Sequence, residues 1–211
     1  MEFLSEDLGR EMLSRISNNI DSDSCNQAMK SLNIMIEKSE SWQEPIFLSY
    51  LPTLMDNISF FKTSEQAEIT ATAIIGKMNI YSINVVLDLL FQSMESLKWQ
   101  TKCGALTILS MFKKLDAKVV QQNLPKIILK LIEMSSDIKR DVKIGTRKCF
   151  EDICSVIDNI DIIKIIPNII DAYMEPVKYT ESAMDQLVST SFINEVDLST
   201  LGLLVPLLTK G

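Results

Sequence analysis

Five cations fall within ten consecutive residues: Lys139, Arg140, Lys143, Arg147 and Lys148. Lys98 and Lys102 stand four apart further upstream. Such a group suits the oxygens of a phosphate backbone, because guanidinium forks and ammonium points both hydrogen-bond phosphate and each contact releases counterions. The cluster sits in a local island. Glu95 to Phe150 holds 12 basic and 5 acidic residues, against 6 and 13 from Met1 to Met94 and 3 and 10 from Glu151 to Gly211. The overall charge of −7 therefore hides a basic middle between two acidic flanks. The same residues also fit a solvated face balanced by Asp137, Asp141, Glu151 and Asp152, and charge alone does not choose between the two.

Catalytic chemistry is poorly supplied. The chain has no histidine, which removes the commonest general base, the Ser-His pairs and most zinc sites. Neither G-x-x-x-x-G-K-[ST] nor G-x-G-x-x-G occurs, so there is no phosphate-cradling loop. Glu151 with Asp152, and Asp158 with Asp161, read as ordinary acids at helix ends and on solvated faces. Cys25, Cys103, Cys149 and Cys154 form no C-x-x-C pair and read as small buried hydrophobes of a reducing compartment. No run of about 18 apolar residues is present. The acidic start Met1 to Asp7 is neither a signal nor a transit peptide, so a cytoplasmic protein is expected.

The elements that must carry these cations are set by a recurring phrase: apolar, proline, any residue, apolar. It reads Leu51-Pro52-Thr53-Leu54, Leu124-Pro125-Lys126-Ile127, Ile166-Pro167-Asn168-Ile169 and Val205-Pro206-Leu207-Leu208, with prolines 73, 42 and 39 residues apart. The first gap is about two units of a roughly 40-residue period, and a missing phrase near Leu87 to Leu90 completes the series. A proline within a helix bends it, so each phrase predicts a curved first helix. A second helix follows each, with apolar or small residues at relative positions 1, 5, 8 and 9. These are Val142, Thr146, Cys149 and Phe150, continued by Ile153; then Thr101, Ala105, Ile108 and Leu109; Ala67, Ala71, Ile74 and Ile75; and, more weakly, Ser24, Ala28, Ser31 and Leu32.

One such pair cannot bury its stripe alone, so the expected fold is an all-α HEAT-repeat solenoid with about five helix pairs and a partial sixth. The pairs span Phe3 to Ser39, Ser41 to Asn79, Ser82 to Leu115, Lys118 to Asp158 and Ile160 to Glu195. Breaks are expected at Asp21 to Ser24, Lys62 to Ser64, Met134 to Asp137 and Asn194 to Asp197, each offering a capping side chain. No linker is visible, so residues 1–211 read as a single HEAT-repeat domain. Because Lys210-Gly211 falls where a first helix should turn into its partner, an N-terminal fragment of a longer protein is expected. Repeat stacking is expected to set Lys98 and Lys102 beside the second cluster as one ridge.

Two stretches carry a family resemblance: Leu97-Lys98-Trp99-Gln100-Thr101-Lys102-Cys103-Gly104-Ala105-Leu106, and Ser189-Thr190-Ser191-Phe192-Ile193-Asn194-Glu195-Val196-Asp197 running into Leu203-Leu204-Val205-Pro206-Leu207-Leu208. They resemble the N-terminal HEAT domain of the translation elongation factor 3 family, clearly from Ser96 to Gly211 and faintly before. The HEAT segment of the large activator of the amino-acid-starvation kinase is similar over the same region. The first resemblance implies a domain that docks on the 80S ribosome, touching rRNA and ribosomal proteins. Two ATP-binding cassettes elsewhere in that family's chain drive release of E-site tRNA. Partners implied are thus the ribosome, with no membrane and no DNA. The runner-up is a protein-interaction scaffold, of the kinase-activator type or a transport adaptor, and a third option is a free-standing HEAT protein without cassettes.

None of the cassette motifs lies in these residues, so no cofactor is expected in this chain. Calorimetric titration of the isolated chain with ATP and Mg²⁺ should give no stoichiometric heat; saturable one-to-one binding would contradict the reading.

Overall fold

A computed structural model of the chain describes residues 22–39 and 44–210, together with Glu11 and Ser14. The first part of the first expected pair lies outside them. Among the described residues every regular element is helical, as the spacing demands. The chain divides into two compact units at Ile108/Leu109.

The first unit contains α1 (Ser22–Lys38), α2 (Glu44–Leu48), α3 (Leu51–Ile58), α4 (Ser64–Gly76), α5 (Ser82–Met94) and most of α6 (Trp99–Ser110). Helix α4 is its centre, packed against both α1 and α3. The stripe Ala67, Ala71, Ile74 and Ile75 is buried there as expected, and Leu87 and Leu90 are buried on α5. Two expected stripes shift. On α1, Ala28 and Leu32 are buried as expected, but Ser24 and Ser31 are exposed and the buried face is completed by Cys25, Met29 and Ile36. The five buried residues recur at spacings of three and four, a better apolar face than one containing two serines. On α6, Thr101 is only half-buried because its hydroxyl donates to Asp56 Oδ1 at 2.6 Å, while Ala105 and Ile108 are buried. Asn57 is the buried polar hub: Cys25 Sγ reaches its Oδ1 at 3.4 Å, Thr63 Oγ1 donates to its carbonyl at 3.0 Å, and its own Nδ2 reaches the Thr53 carbonyl at 2.9 Å.

The second unit comprises a 3-10 turn (Met111–Lys114), α7 (Ala117–Ser135), α8 (Arg140–Cys154), α9 (Ile160–Ile163), α10 (Ile166–Met174), α11 (Pro176–Ser189) and α12 (Leu198–Lys210). Val142, Thr146, Cys149, Phe150 and Ile153 are all buried on α8. Thr146 loses no bond by burial, since its hydroxyl donates to the Val142 carbonyl at 2.8 Å. Phe150 and Tyr173 stack with centroids 5.7 Å apart, and the Tyr173 hydroxyl donates to the Leu203 carbonyl of α12. Burial pushes the Cys149 and Cys154 thiols up to about 12, as inert core positions require. The final helix departs from simple sequential stacking: α12 packs chiefly on α7 rather than on α10.

The prolines act differently from the expected uniform bend. Pro125 and Pro206 stand inside continuous helices. Pro52 and Pro167 instead sit in the first turns of α3 and α10, after the chain has broken. There the missing N–H has no intrahelical partner to lose. Each break is a tight turn, with the Tyr50 N–H on the Phe47 carbonyl at 3.1 Å and the Ile165 N–H on the Ile162 carbonyl at 2.8 Å.

Two glycines fix how close helices come. A Cβ on Gly104 would lie 2.1 Å from the Met55 carbonyl oxygen, and one on Gly202 would lie 2.8 Å from Pro125 Cγ. Replacing Gly104 with Ala should therefore force α6 off α3 and cost about 3 kcal/mol, lowering Tm by about 6 to 12 °C. Gly76→Ala, with nothing within 4 Å, should be neutral or stabilising by up to about 1 kcal/mol. Equal melting of the two variants by circular dichroism would refute the close-approach assignment.

Candidate nucleic-acid interface

Burial of the α8 stripe decides where the cations go. With Val142, Thr146, Cys149, Phe150 and Ile153 turned inward, Arg140, Lys143, Arg147 and Lys148 are left exposed, Lys143 and Arg147 beside the buried stripe and Lys148 away from it. Lys139 precedes the helix in extended conformation, also exposed, and its backbone N–H donates to Asp137 Oδ1 at 2.8 Å. Lys98 and Lys102 belong to the first unit. Lys98 is exposed just ahead of α6 and Lys102 is half-buried in its first turn.

The second cluster is not uniform. Arg147 Nη2 meets Asp171 Oδ1 at 2.5 Å and its Nε meets Glu151 Oε1 at 3.3 Å. The Asp171 hydrogen bond, foremost, holds its pKa above the ordinary arginine value. Its charge is therefore largely answered within the fold. Lys139, Arg140, Lys143 and Lys148 hold no ion pair among the described residues. Two of the four acids that could balance them are engaged elsewhere: Glu151 by Arg147, and Asp152 by Lys113 at 2.6 Å. Asp141 remains exposed beside Arg140. What the arrangement offers chemically is four exposed cations on and just before α8 that hold no ion pair among the described residues, a set that suits anionic oxygens.

The Asp171 partner of Arg147 has no local sequence signal, being 24 residues away. Asp161 was also unremarkable in sequence, yet it clasps the segment after α11. Its Oδ2 accepts from the Ile193 and Asn194 backbone N–H groups at 2.9 and 2.8 Å, and its Oδ1 accepts from Asn194 Nδ2 at 3.0 Å. Asn159 Nδ2 adds a bond to the Glu195 carbonyl at 3.3 Å. The Asn194 backbone bond, foremost, holds the Asp161 carboxyl below the usual aspartate value. At Asp197, desolvation pushes upward, but bonds from Ser199 and Thr200 outweigh it and keep that carboxyl low while capping α12.

Stacked helix pairs with small residues at their contacts define the class: an all-α HEAT-repeat protein rather than a nucleotide-binding fold. The family described as EF3 N-terminal HEAT repeat matches residues 4–150, and the chain belongs to that family. The match thus covers the N-terminal part, where the resemblance was faint, and stops before the Ser189 to Asp197 segment. Elongation factor 3 of Pneumocystis carinii is 33% identical over 189 residues, covering 88% of this chain and 18% of that protein. Protein ILITYHIA of Arabidopsis thaliana is 29% identical over 192 residues, 87% of this chain and 7% of that one. The human stalled ribosome sensor GCN1 is 28% identical over 172 residues, 80% of this chain and 6% of that one. The chain spans less than a fifth of the length of each of these relatives. No helix among the described residues is long and apolar enough to cross a membrane.

The clasp has a pH signature. A folded-state pKa below the unfolded value means Asp161 favours the folded segment above the ordinary aspartate pKa of about 3.9 and loses that contribution as pH falls through the lower folded value. The Ile193 and Asn194 amide resonances should accordingly titrate together by NMR with a midpoint below about 3.9. A midpoint at or above that value, or independent titration of the two amides, would dismiss the clasp.

Proposed function

We propose that the chain is a ribosome-docking HEAT domain of the elongation factor 3 type, holding phosphates of ribosomal RNA on the 80S ribosome with ribosomal proteins alongside. In such a factor it would support ATP-driven release of E-site tRNA by cassettes outside these residues, with no cofactor bound in the domain itself. The working compartment on this reading is the cytoplasm. The observation that carries it is the set of exposed cations on and beside α8, Lys139, Arg140, Lys143 and Lys148, that lack ion pairs among the described residues while Glu151 and Asp152 are engaged elsewhere. Family membership supplies the translational setting. Lys98 and Lys102 join the proposal as a second basic group in the first unit, and residues 1–211 as one domain of the longer factor. Arg147 contributes by holding α8 to α10. A protein-interaction scaffold is the second reading, supported by the similarity to GCN1 and ILITYHIA.

The triple variant Arg140→Glu, Lys143→Glu, Lys148→Glu should co-sediment with 80S ribosomes at least about tenfold more weakly at unchanged helicity, because exposed charges contribute little to folding. Binding of the parent should fall with salt by about 0.7 to 0.9 log units per phosphate contact. Lys98→Glu, measured separately, reads the first unit's share. A triple variant that sediments like the parent at every salt concentration would rule out this surface, and a nearly flat salt dependence would favour the scaffold reading.

A further inference from the structure

Large apolar side chains stand almost fully in solvent at the turns that open the second helix of a pair. Phe61 is 98% exposed and is followed by Lys62; Leu97 is 103% exposed and is followed by Lys98. Within the second unit the pairing recurs, with Ile138 at 97% before Lys139 ahead of α8, and Val177 at 105% before Lys178 in the first turn of α11. Scattered apolar surface is normal, but one such side chain near the start of each of four helices, each followed by a cation, is a pattern.

The first unit shows the geometry. The turn carrying Phe60, Phe61 and Lys62 is rigid: Ser64 and Thr63 N–H groups bond the Phe60 carbonyl at 2.8 and 3.0 Å, and Asn26 Nδ2 bonds the Lys62 carbonyl at 3.0 Å. Its neighbour carries Leu97 and Lys98. The two are tied together, since Ser59 Oγ donates to the Gln100 carbonyl at 2.8 Å and Thr101 to Asp56 at 2.6 Å. Phe60 is exposed as well, so the pair of turns presents three large apolar side chains and two ammonium groups on fixed backbone.

We infer that these paired turns dock an amphipathic helix of a partner protein, one carrying apolar residues seven apart and carboxylates one turn beyond them. Stacked helices lie about 8 to 10 Å apart, and positions i and i+7 of an α-helix are about 10.5 Å apart, so one anchor falls on each turn. Lys62 supplies the complementary charge, Lys98 belonging to the basic group assigned to phosphates above. RNA fits this place less well. Phe60 and Phe61 carry rings on which bases stack but Leu97 carries none, and Met1 to Met94, the span that holds Lys62, has 13 acidic against 6 basic residues. The inference is independent of the phosphate contacts assigned to α8.

The probe is a fluorescein-labelled, alanine-rich helical peptide with two leucines seven residues apart and glutamates one turn after each, read by anisotropy against the full chain. Binding should weaken at least about tenfold in Phe61→Ser/Leu97→Ser, both fully exposed positions, at unchanged Tm. Lys62→Glu, which removes no apolar surface, should weaken that peptide and strengthen its lysine-for-glutamate counterpart. The inference is overturned if the parent does not bind the peptide, if the double variant binds as well as the parent, or if Lys62→Glu leaves both peptides unchanged. Binding of oligouridylate that is lost in the double variant, with no peptide binding, would assign the face to RNA instead.

Discussion

Helix contacts from which a Cβ is missing set the distances on which everything else here depends. In the first unit, α6 meets α3 with Gly104 against the Met55 backbone. Only at that separation can Thr101 reach Asp56 and Ser59 reach the Gln100 carbonyl. In the second unit, Gly202 against Pro125 seats α12 on α7. That contact brings the Leu203 carbonyl to the Tyr173 hydroxyl, whose ring stacks on Phe150 of α8. The orientation of α8, and with it the outward direction of its cations, follows from this inner chain of contacts. Interiors packed this closely pass a displaced backbone on to their neighbours.

Charge is allocated as unevenly in space as in sequence. Glu151 and Asp152 are drawn into the fold's own ion pairs, and four neighbouring cations have none among the described residues. Exposed pairs of this kind contribute little to stability. Their effect is to fix which charges the protein keeps for itself and which it presents. Arg147 illustrates the difference, since it shares a helix face with Arg140 and Lys143 yet joins α8 to α10 through Asp171.

The parts of this arrangement legible in sequence were those with a short period. Five buried positions on α8 and four on α4 follow from a spacing of three and four, and helix boundaries near Thr63, Asp137 and Asp197 follow from polar residues at chain breaks. Of the expected α1 stripe Ala28 and Leu32 are buried, while the two serines yield to Cys25, Met29 and Ile36, because apolar alternatives were available. The prolines looked alike in sequence and act in two ways, because whether a helix continues through proline or restarts at it depends on what packs against it. Asp161 with Asn194, Arg147 with Asp171, and Gly202 with Pro125 are separated by 33, 24 and 77 residues. No local pattern encodes such pairings, since they arise only once the helices have stacked.

The packing of α12 on α7 bears on how the second unit is made. A polypeptide emerging from its N-terminus has Pro125 available long before Gly202 exists, and the interval between them must close as one loop. Closing 77 residues costs about 4 kcal/mol of chain entropy before any contact offsets it. Until Leu198–Lys210 arrives, the face of α7 it will cover stays open to solvent and the Tyr173 hydroxyl lacks its Leu203 acceptor. The helices of this unit therefore share one completion step, and its apolar surface stays exposed longest on the element formed earliest.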